Sequence, residues 1–328
     1  MTFRSQANQA VQLGVETVAG TSVPSNKQLL GLSVTPTNSV ETTQHTPSGF
    51  KVPTQSSLNT IKTEADYEGA LDYQTIIYPM ASIFGNPTTE EVGDESYEHT
   101  FTFVGKGAVP NQKTYTVQVG DNTRAVEFAG AAFRSADISL SRTGENTISG
   151  SMIGRALQTN KTLTASPTEL DIVPVDGLHF DVYADSSSTS LGSTRLQKLF
   201  EGNFAIGDVL SELYVINSAE ESYSALVEAE DQSYDLSLTL GADAEAESYF
   251  QKIRNGGKTF VRVKATGPLI EAGINYSIEM DMCVIVTGFD SYSSSEGAYV
   301  LPVNFALAFD PTWGKALEVR VTNTLASV

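Results

Sequence analysis

The stretch Tyr234-Asp-Leu-Ser-Leu-Thr-Leu240 alternates apolar and polar side chains without interruption. Successive side chains of a β-strand point to opposite faces of a sheet, so this pattern predicts a strand with one buried face. The leucines mark the buried face, and the Asp, Ser and Thr side chains mark the face that meets water.

The sequence on both sides of this strand extends the β-rich pattern. A helical pattern over 243–254 follows it and ends at Asn255-Gly256, where helices commonly stop. Alternation then resumes at Lys258-Thr-Phe-Val-Arg-Val263. The remaining alternating stretches are 99–104, 113–119, 178–183, 276–286 and 316–321. Few helices among many strands predict a mainly β fold in which each helix covers a sheet.

A second helical pattern, over 73–84, suggests that the chain repeats itself. It ends at Gly85 and contains Pro79, which must kink the helix or mark its true start. Extended stretches precede each helix (60–66 with 67–71, and 225–231 with 234–238), two follow it, and each half closes with a possible hairpin, near 138–148 and 295–309. This order predicts a duplicated module, although few residues are identical and a coincidental order stays open.

The join between the two modules is expected within the polar segment 159–167. The predicted domains are an N-terminal arm (1–26), a first module (27–160) with a long loop near 45–58, and a second module (161–328).

The charge balance argues against binding to nucleic acid. The chain has 328 residues and a net charge of −19, with 39 acidic residues against 20 Lys and Arg. Binding to phosphates needs clustered cations, and an acidic surface repels them. No apolar run has the length of a membrane span and the N-terminus lacks the apolar core of a signal peptide, so we expect no membrane contact and synthesis in a cytoplasm.

Catalytic motifs are not found in the sequence. The single cysteine, Cys283, excludes a disulfide within the chain and is expected to be a buried strand thiol. The histidines His45, His99 and His179 lie far apart and are expected to be ordinary strand or surface residues. The carboxylate pairs that share a strand face, Glu228 with Glu230 and Glu279 with Asp281, are expected to be solvated. The sequence therefore predicts neither an enzyme nor a cofactor or metal site.

Apolar residues on a segment without core patterning predict a contact surface. The segment 45–58 combines two prolines and a glycine with the apolar residues Phe50 and Val52, and the N-terminal arm carries Val11-Gln-Leu-Gly-Val15. The candidate contact residues are Pro47, Phe50, Val52, Pro53, Leu58, Leu13 and Val15.

Several segments resemble the major tail proteins of bacteriophages with long, non-contractile tails. They are Leu13-Gly-Val-Glu-Thr-Val-Ala-Gly-Thr21 with Asn26-Lys-Gln-Leu-Leu30, Tyr67-Glu-Gly-Ala-Leu-Asp-Tyr73 leading into a helix closed by Phe84-Gly85, and Phe309-Asp-Pro-Thr-Trp-Gly-Lys-Ala-Leu317. The likeness covers most of the chain as an order of elements, and Pro79 departs from it.

The resemblance implies two tandem tail-tube modules, each a β-sandwich flanked by one helix. Rings in that family usually contain six modules, so three copies of this chain would form a pseudo-hexameric ring. Rings would stack through the N-terminal arm and the 45–58 loop into the tail tube of the virion. DNA would pass along the bore without adhering. The other implied partners are the tail tip, tape measure and tail terminator proteins.

A different class of function stays open from the sequence. It is another virion or surface protein, such as an adhesin that binds a host carbohydrate or protein. Clustered exposed aromatic residues would favour it, whereas the single tryptophan, Trp313, lies between a turn and the last predicted strand.

Overall fold

A computed structural model describes residues 9–107, 109, 111–216, 220–295 and 297–328; within helix 244–255 the side chain of Glu245 is not described. Strands make up 55% of the structure and helices 6%, which confirms the predicted mainly β fold. Neither helix in the described part of the chain is long and apolar enough to cross a membrane.

The first half of the chain contributes β1 to β11 and helix α1. The strands are Ala10–Val15 (β1), Lys27–Leu29 (β2), Leu32–His45 (β3), Gln55–Ala70 (β4), Thr88–Glu91 (β5), Tyr97–Phe103 (β6), Tyr115–Gly120 (β7), Ala125–Phe133 (β8), Ala136–Ser141 (β9), Thr147–Gly154 (β10) and Gln158–Lys161 (β11). The helix is Ile77–Phe84.

The second half contributes β12 to β22 and helix α2. The strands are Thr168–Leu170 (β12), Phe180–Asp185 (β13), Leu199–Ile206 (β14), Leu210–Leu213 (β15), Ala225–Glu228 (β16), Tyr234–Gly241 (β17), Lys258–Glu271 (β18), Ile274–Phe289 (β19), Ser293–Ser295 (β20), Ala298–Leu307 (β21) and Leu317–Asn323 (β22). The helix is Ala244–Asn255.

One run of antiparallel strands crosses both halves of the chain. Its order is β3-β4-β10-β9-β14-β17-β21-β20, and neighbouring strands in this list are hydrogen-bonded. We call this run the spanning sheet. Alternate side chains of its strands point into the core, as the Leu236, Leu238 and Leu240 pattern predicted.

Two further layers pack behind the spanning sheet. One has the order β12-β2-β1-β7-β8-β11, and the other has the order β13-β18-β19-β22-β6-β5. The long strand β19 connects the layers, because residues 284–289 pair with β21 whereas residues 277–282 pair with β22. In the first half, β8 has the corresponding role between β10 and β11.

The two halves share a pattern of strand pairing. In the first half β1 pairs with β7, β7 with β8, β8 with β10 and β11, β10 with β9 and β4, and β4 with β3. The second half repeats these pairings in the same order: β13 pairs with β18, β18 with β19, β19 with β21 and β22, β21 with β20 and β17, and β17 with β14. Every one of these pairings is antiparallel, and each half places its helix between corresponding strands.

The helices lie where the sequence predicted them. Pro79 is the third residue of α1, where a helical N–H has no partner within the helix, so the proline marks the start of the helix and does not break it. All eight residues of α1 are buried, against β6 and β8. Helix α2 packs on β19 and β21 and carries Lys252 and Arg254 in its last turn.

The strand correspondence differs from the one expected from the sequence. The stretches 60–66 and 67–71 belong to a single strand, β4, and 225–231 contributes β16, which pairs with β15 outside the spanning sheet. The predicted strand at 99–104 is β6, which pairs with β22 of the other half. The sequence pattern located these stretches as strands, but it carries no information about their partners.

The N-terminal arm was also predicted wrongly for its described residues. Residues 1–8 lie outside the described part of the chain, but Ala10–Val15 is strand β1, paired with β2 and β7. Apolar residues at Val11, Leu13 and Val15 face the core or pack against it, so this segment belongs to the fold.

We expect Phe133→Ala to lower the free energy of unfolding by about 3–5 kcal/mol. Phe133 is fully buried and its ring packs edge-on against Tyr67, with 4.8 Å between centroids, so truncation leaves a cavity. Chemical denaturation followed by tryptophan fluorescence measures the change. Phe50→Ala is the matched control, because that exposed ring should contribute less than about 0.5 kcal/mol; equal losses in the two variants would contradict this packing.

Candidate assembly surface

Strands β9 and β14 join the two halves edge to edge. The first half contributes β3-β4-β10-β9 to the spanning sheet and ends at β9. The second half contributes β14-β17-β21-β20 and begins at β14. They pair antiparallel from Ala136 opposite Ile206 to Ser141 opposite Glu201. On the core side of this seam Ile138 lies opposite Phe204, and neither side chain is exposed. The seam thus combines paired backbone groups with apolar burial.

The outer ends of the spanning sheet are open. Among the described residues, β3 pairs with β4 alone and β20 pairs with β21 alone. Residues 32–40 and 291–295 contain no charged side chain. Charged residues are a common protection of edge strands against pairing with another chain, and both edges lack it; β3 does carry Pro36, and β20 has only three residues.

A groove runs beside the open edge of β3. It has a volume of about 610 Å³, and β1, residues 28–31 and the first residues of β3 line it. Its apolar lining includes Val11, Leu32 and Val34. Those three side chains are almost fully buried, so the groove offers unpaired backbone together with the exposed side chain of Leu30.

The outward face of the spanning sheet is polar and acidic. Exposed carboxylates lie on five of its strands; they are Glu41, Asp66, Glu68, Asp137, Glu201 and Asp235. Small polar residues such as Ser139 and Ser237 lie between them. Within these eight strands, which are described in full, the one Lys or Arg is Lys62, whose ammonium lies 2.9 Å from Glu64 and 2.6 Å from Glu212. This face therefore presents negative charge without a free cation.

Strands β3 and β4 continue beyond the sheet as a protruding hairpin. Residues 41–59 are all exposed, and the turn between the strands is 46–54. The predicted loop at 45–58 is thus shorter than expected, because His45 and residues 55–58 are still paired as strand. Apolar alternation does not reveal these residues, since both faces of the hairpin meet solvent.

The candidate contact residues divide between the hairpin and the core. Phe50 and Val52 are 59% and 64% exposed, and Leu58 and the two prolines of the turn, Pro47 and Pro53, are also exposed. Leu13, in contrast, is 1% exposed, and the predicted contact role for it is wrong because β1 buries it between β2 and β7. Val15 is partly buried and packs against the core.

The second half of the chain supports the base of the hairpin. The N–H of Ile61 donates to the carbonyl of Glu221 at 3.0 Å, and Lys62 reaches Glu212 of β15. Beside this contact lies an exposed apolar run that the sequence analysis missed, made of Leu213, Tyr214, Val215 and Ile216. The sequence does contain a signal for this surface, because four apolar residues follow one another at the end of the short strand β15.

The residues considered as catalytic candidates include a buried thiol and a carboxylate that binds the backbone. Cys283 is buried in β19, and burial raises the pKa of its thiol to about 11. Glu228 accepts a hydrogen bond from the N–H of Val109. No group of three His, Cys, Asp or Glu side chains placed to hold a metal ion occurs in the described part of the chain.

Glu279 and Asp281 do not form the solvated face expected from the sequence. Asp281 is 3% exposed and accepts hydrogen bonds from Arg262 Nε at 2.6 Å and Arg320 Nη2 at 2.9 Å. Glu279 pairs with the same two arginines and with Lys264. The cations come from neighbouring strands, so strand pairing, which the sequence does not specify, neutralises the acids.

His99 is a buried core histidine. Its Nε2 donates to the carbonyl of Leu325 at 2.8 Å, which leaves Nδ1 of the neutral ring to accept from the hydroxyl of Thr89 at 2.9 Å. Burial lowers the pKa of His99 below its usual value. This side chain thus fixes the residues that follow β22 against β6.

We expect the stability of the chain to fall as the pH decreases from 7 to 5, partly through His99. Because its pKa is lower in the folded state, the unfolded chain binds more protons below about pH 6.5 and is favoured there. Urea denaturation of wild type and His99→Gln at several pH values measures this contribution. The variant should lose less stability over that interval, and an unchanged pH dependence would contradict the assignment.

No protein-family model matches the chain. No curated protein matches its sequence. What the chain does must therefore be inferred from the spanning sheet, its two open edges and the hairpin.

Proposed function

We propose that the chain is a structural protein that assembles into rings, and that the rings stack into the tail tube of a long-tailed bacteriophage. One observation carries the proposal. Two halves with the same strand pairing are already joined edge to edge by β9 and β14, and a corresponding edge stays open at each end of the spanning sheet. The repeated pairing supports a duplicated module.

A head-to-tail contact follows from this arrangement. The edges at the two ends of the sheet differ, so a contact between them is heterologous and generates a closed ring when the rotation per copy is suitable. If each half is one tube module, three copies supply the six modules that the resemblance implies. The tail tip, tape measure and tail terminator proteins are the proposed partners at the ends of the tube.

The polar face of the spanning sheet supports DNA as a cargo that does not adhere. Closing the sheet into a ring with this face inward would line the bore with Asp66, Glu68, Asp137, Glu201 and Asp235. Carboxylates repel DNA phosphates, and at physiological salt only charges within about 8 Å of the DNA act on it appreciably. Acids that face the bore would keep the DNA mobile.

The exposed hairpin supports stacking of the rings. It carries Phe50 and Val52 into solvent, and residues 45–58 contain no acidic side chain in a chain of net charge −19. An apolar tip of this kind is suited to burial against the adjacent ring.

Negative-stain electron microscopy of concentrated protein, with mass photometry of the same sample, tests the proposal. We expect hollow tubes, or rings with the mass of three chains. Rings of six chains would support a tube but contradict the assignment of two modules to each chain. Chains that stay monomeric at high concentration and on addition of preformed tail tips would contradict the tube and favour a binding module.

Replacing residues 46–54 by an Asn-Gly turn should abolish stacking without unfolding the chain. The removed residues are all exposed, and Asn-Gly is a favoured two-residue hairpin turn. Circular dichroism and thermal unfolding check the fold, and electron microscopy counts tubes and single rings. Phe50→Ser with Val52→Ser tests the apolar side chains alone. Tubes of normal length in both variants would contradict a stacking role.

A further inference from the structure

We propose that β20 of one copy pairs antiparallel with β3 of the next copy, in the register that β9 and β14 show within the chain. This proposal rests on the proposed ring. It identifies the seam between chains by residue: Ser293 lies opposite Thr35 of the next copy, Tyr292 opposite Pro36, and Ser294 opposite Val34.

Two backbone hydrogen bonds fix the alignment of the two halves. The N–H of Leu71 donates to the carbonyl of Asn146 at 2.8 Å, and the N–H of Ala242 donates to the carbonyl of Tyr299 at 3.0 Å. In each half, the donor is the residue that follows the strand before the helix (β4 or β17). The acceptor lies at the start of the strand paired with it (β10 or β21). Leu71 therefore corresponds to Ala242, and Asn146 corresponds to Tyr299.

The adjacent residues agree with this alignment. Asp72 and Asp243 become equivalent, and each carboxylate accepts a backbone N–H: Asp72 from Gln74 in the turn before α1, and Asp243 from Ala246 in the first turn of α2. The same alignment places the buried Tyr67 of β4 at the position of the buried Leu238 of β17. The correspondence thus extends through the strand and into the aspartate that follows it.

The alignment transfers the seam from one edge to the other. On one side, Thr147 and Val300 are equivalent because they follow Asn146 and Tyr299. Ser139 lies opposite Thr147 and Ser293 lies opposite Val300, so Ser293 takes the position of Ser139. On the other side, Asn203 pairs with Ser237 as Thr35 pairs with Asp66, so Thr35 takes the position of Asn203. Because Ser139 and Asn203 are partners within the chain, Ser293 and Thr35 become partners between chains.

The grooves beside β3 and β14 support the same contact. Val11 and Leu32 line the groove of about 610 Å³ beside β3. Their counterparts near β14, Val182 and Leu199, line a cavity of about 240 Å³, whose remaining wall includes Leu140 and Ser141 of β9. The larger groove is therefore open where β9 fills the corresponding place, and β20 of the adjacent copy would supply the missing strand.

The side chains of the two edges are compatible with this pairing. Tyr292 is 49% exposed and occupies the position of the buried Ile138, so pairing would bury its ring near Pro36 and Val34 of the next copy. Residues 293–295 are serines, whose small side chains fit both the closely and the widely spaced positions that alternate along an antiparallel pair. Residues 32–40 and 291–295, which the pairing would bring together, carry no charge.

Disulfide cross-linking of assembled rings tests the register. Thr35→Cys with Ser293→Cys places one thiol on each edge, and the native Cys283 is buried and does not compete. The two positions lie at opposite edges of an eight-stranded sheet, on the order of 30 Å apart, so a bond between them must join two chains. Oxidation should give covalent dimers and trimers on a non-reducing gel.

The matched control is Ser39→Cys with Ser293→Cys, which moves one thiol along the same edge by roughly 13 Å. It should cross-link at least tenfold less. Rings that form without a 35–293 bond, or that cross-link equally in the control, would overturn the register while the tube itself stands. Chains that form no rings under any condition would refute both proposals.

Discussion

The unpaired backbone at the edge of a β-sheet is the constraint on which this structure depends. Each edge strand carries N–H and C=O groups that must be paired, covered or left in water. At the middle of the spanning sheet the chain meets this requirement internally, since β9 of one half and β14 of the other complete each other's ladders. At the outer ends, β3 and β20 leave the same groups in solvent. Assembly is the available way to satisfy them within protein.

The extra strand β6 explains why the two halves form one unit. It follows α1 in the first half, yet it pairs with β22 of the second half and contacts the fully buried α1. His99 on this strand holds the residues beyond β22. The eight-residue helix α1 has no exposed side chain because it packs against β6 and β8, and its last residue, Phe84, packs against Tyr234 of the second half with 6.3 Å between the ring centroids.

Local pattern predicted the elements of this fold well and their partners poorly. Alternation located β17, β18 and β22, and Pro79 with Gly85 marked the bounds of α1, because these signals act over a few residues. The local pattern did not identify β1 as part of the core. It also did not identify the distal part of the hairpin, whose residues meet solvent on both faces. It also placed Asp281 in water, because Arg262 and Arg320 reach it only through strands far away in the sequence. The candidate surface was therefore predictable at Phe50 and Val52, whereas the open edges required knowledge of the pairing.

The difference between the two seams has a consequence for assembly. The seam within the chain forms without loss of translational freedom and pairs the whole of β9 with β14. The proposed seam between chains uses β20, which has three residues, and Pro36, which has no N–H to donate. If each half is one tube module, joining two of them in one chain halves the number of seams that must form between chains. The short β20 and Pro36 make the remaining seams weak. Weak seams need the added burial of the hairpin against an adjacent ring, so ring closure and stacking would proceed together at the growing end of a tube and not in free solution.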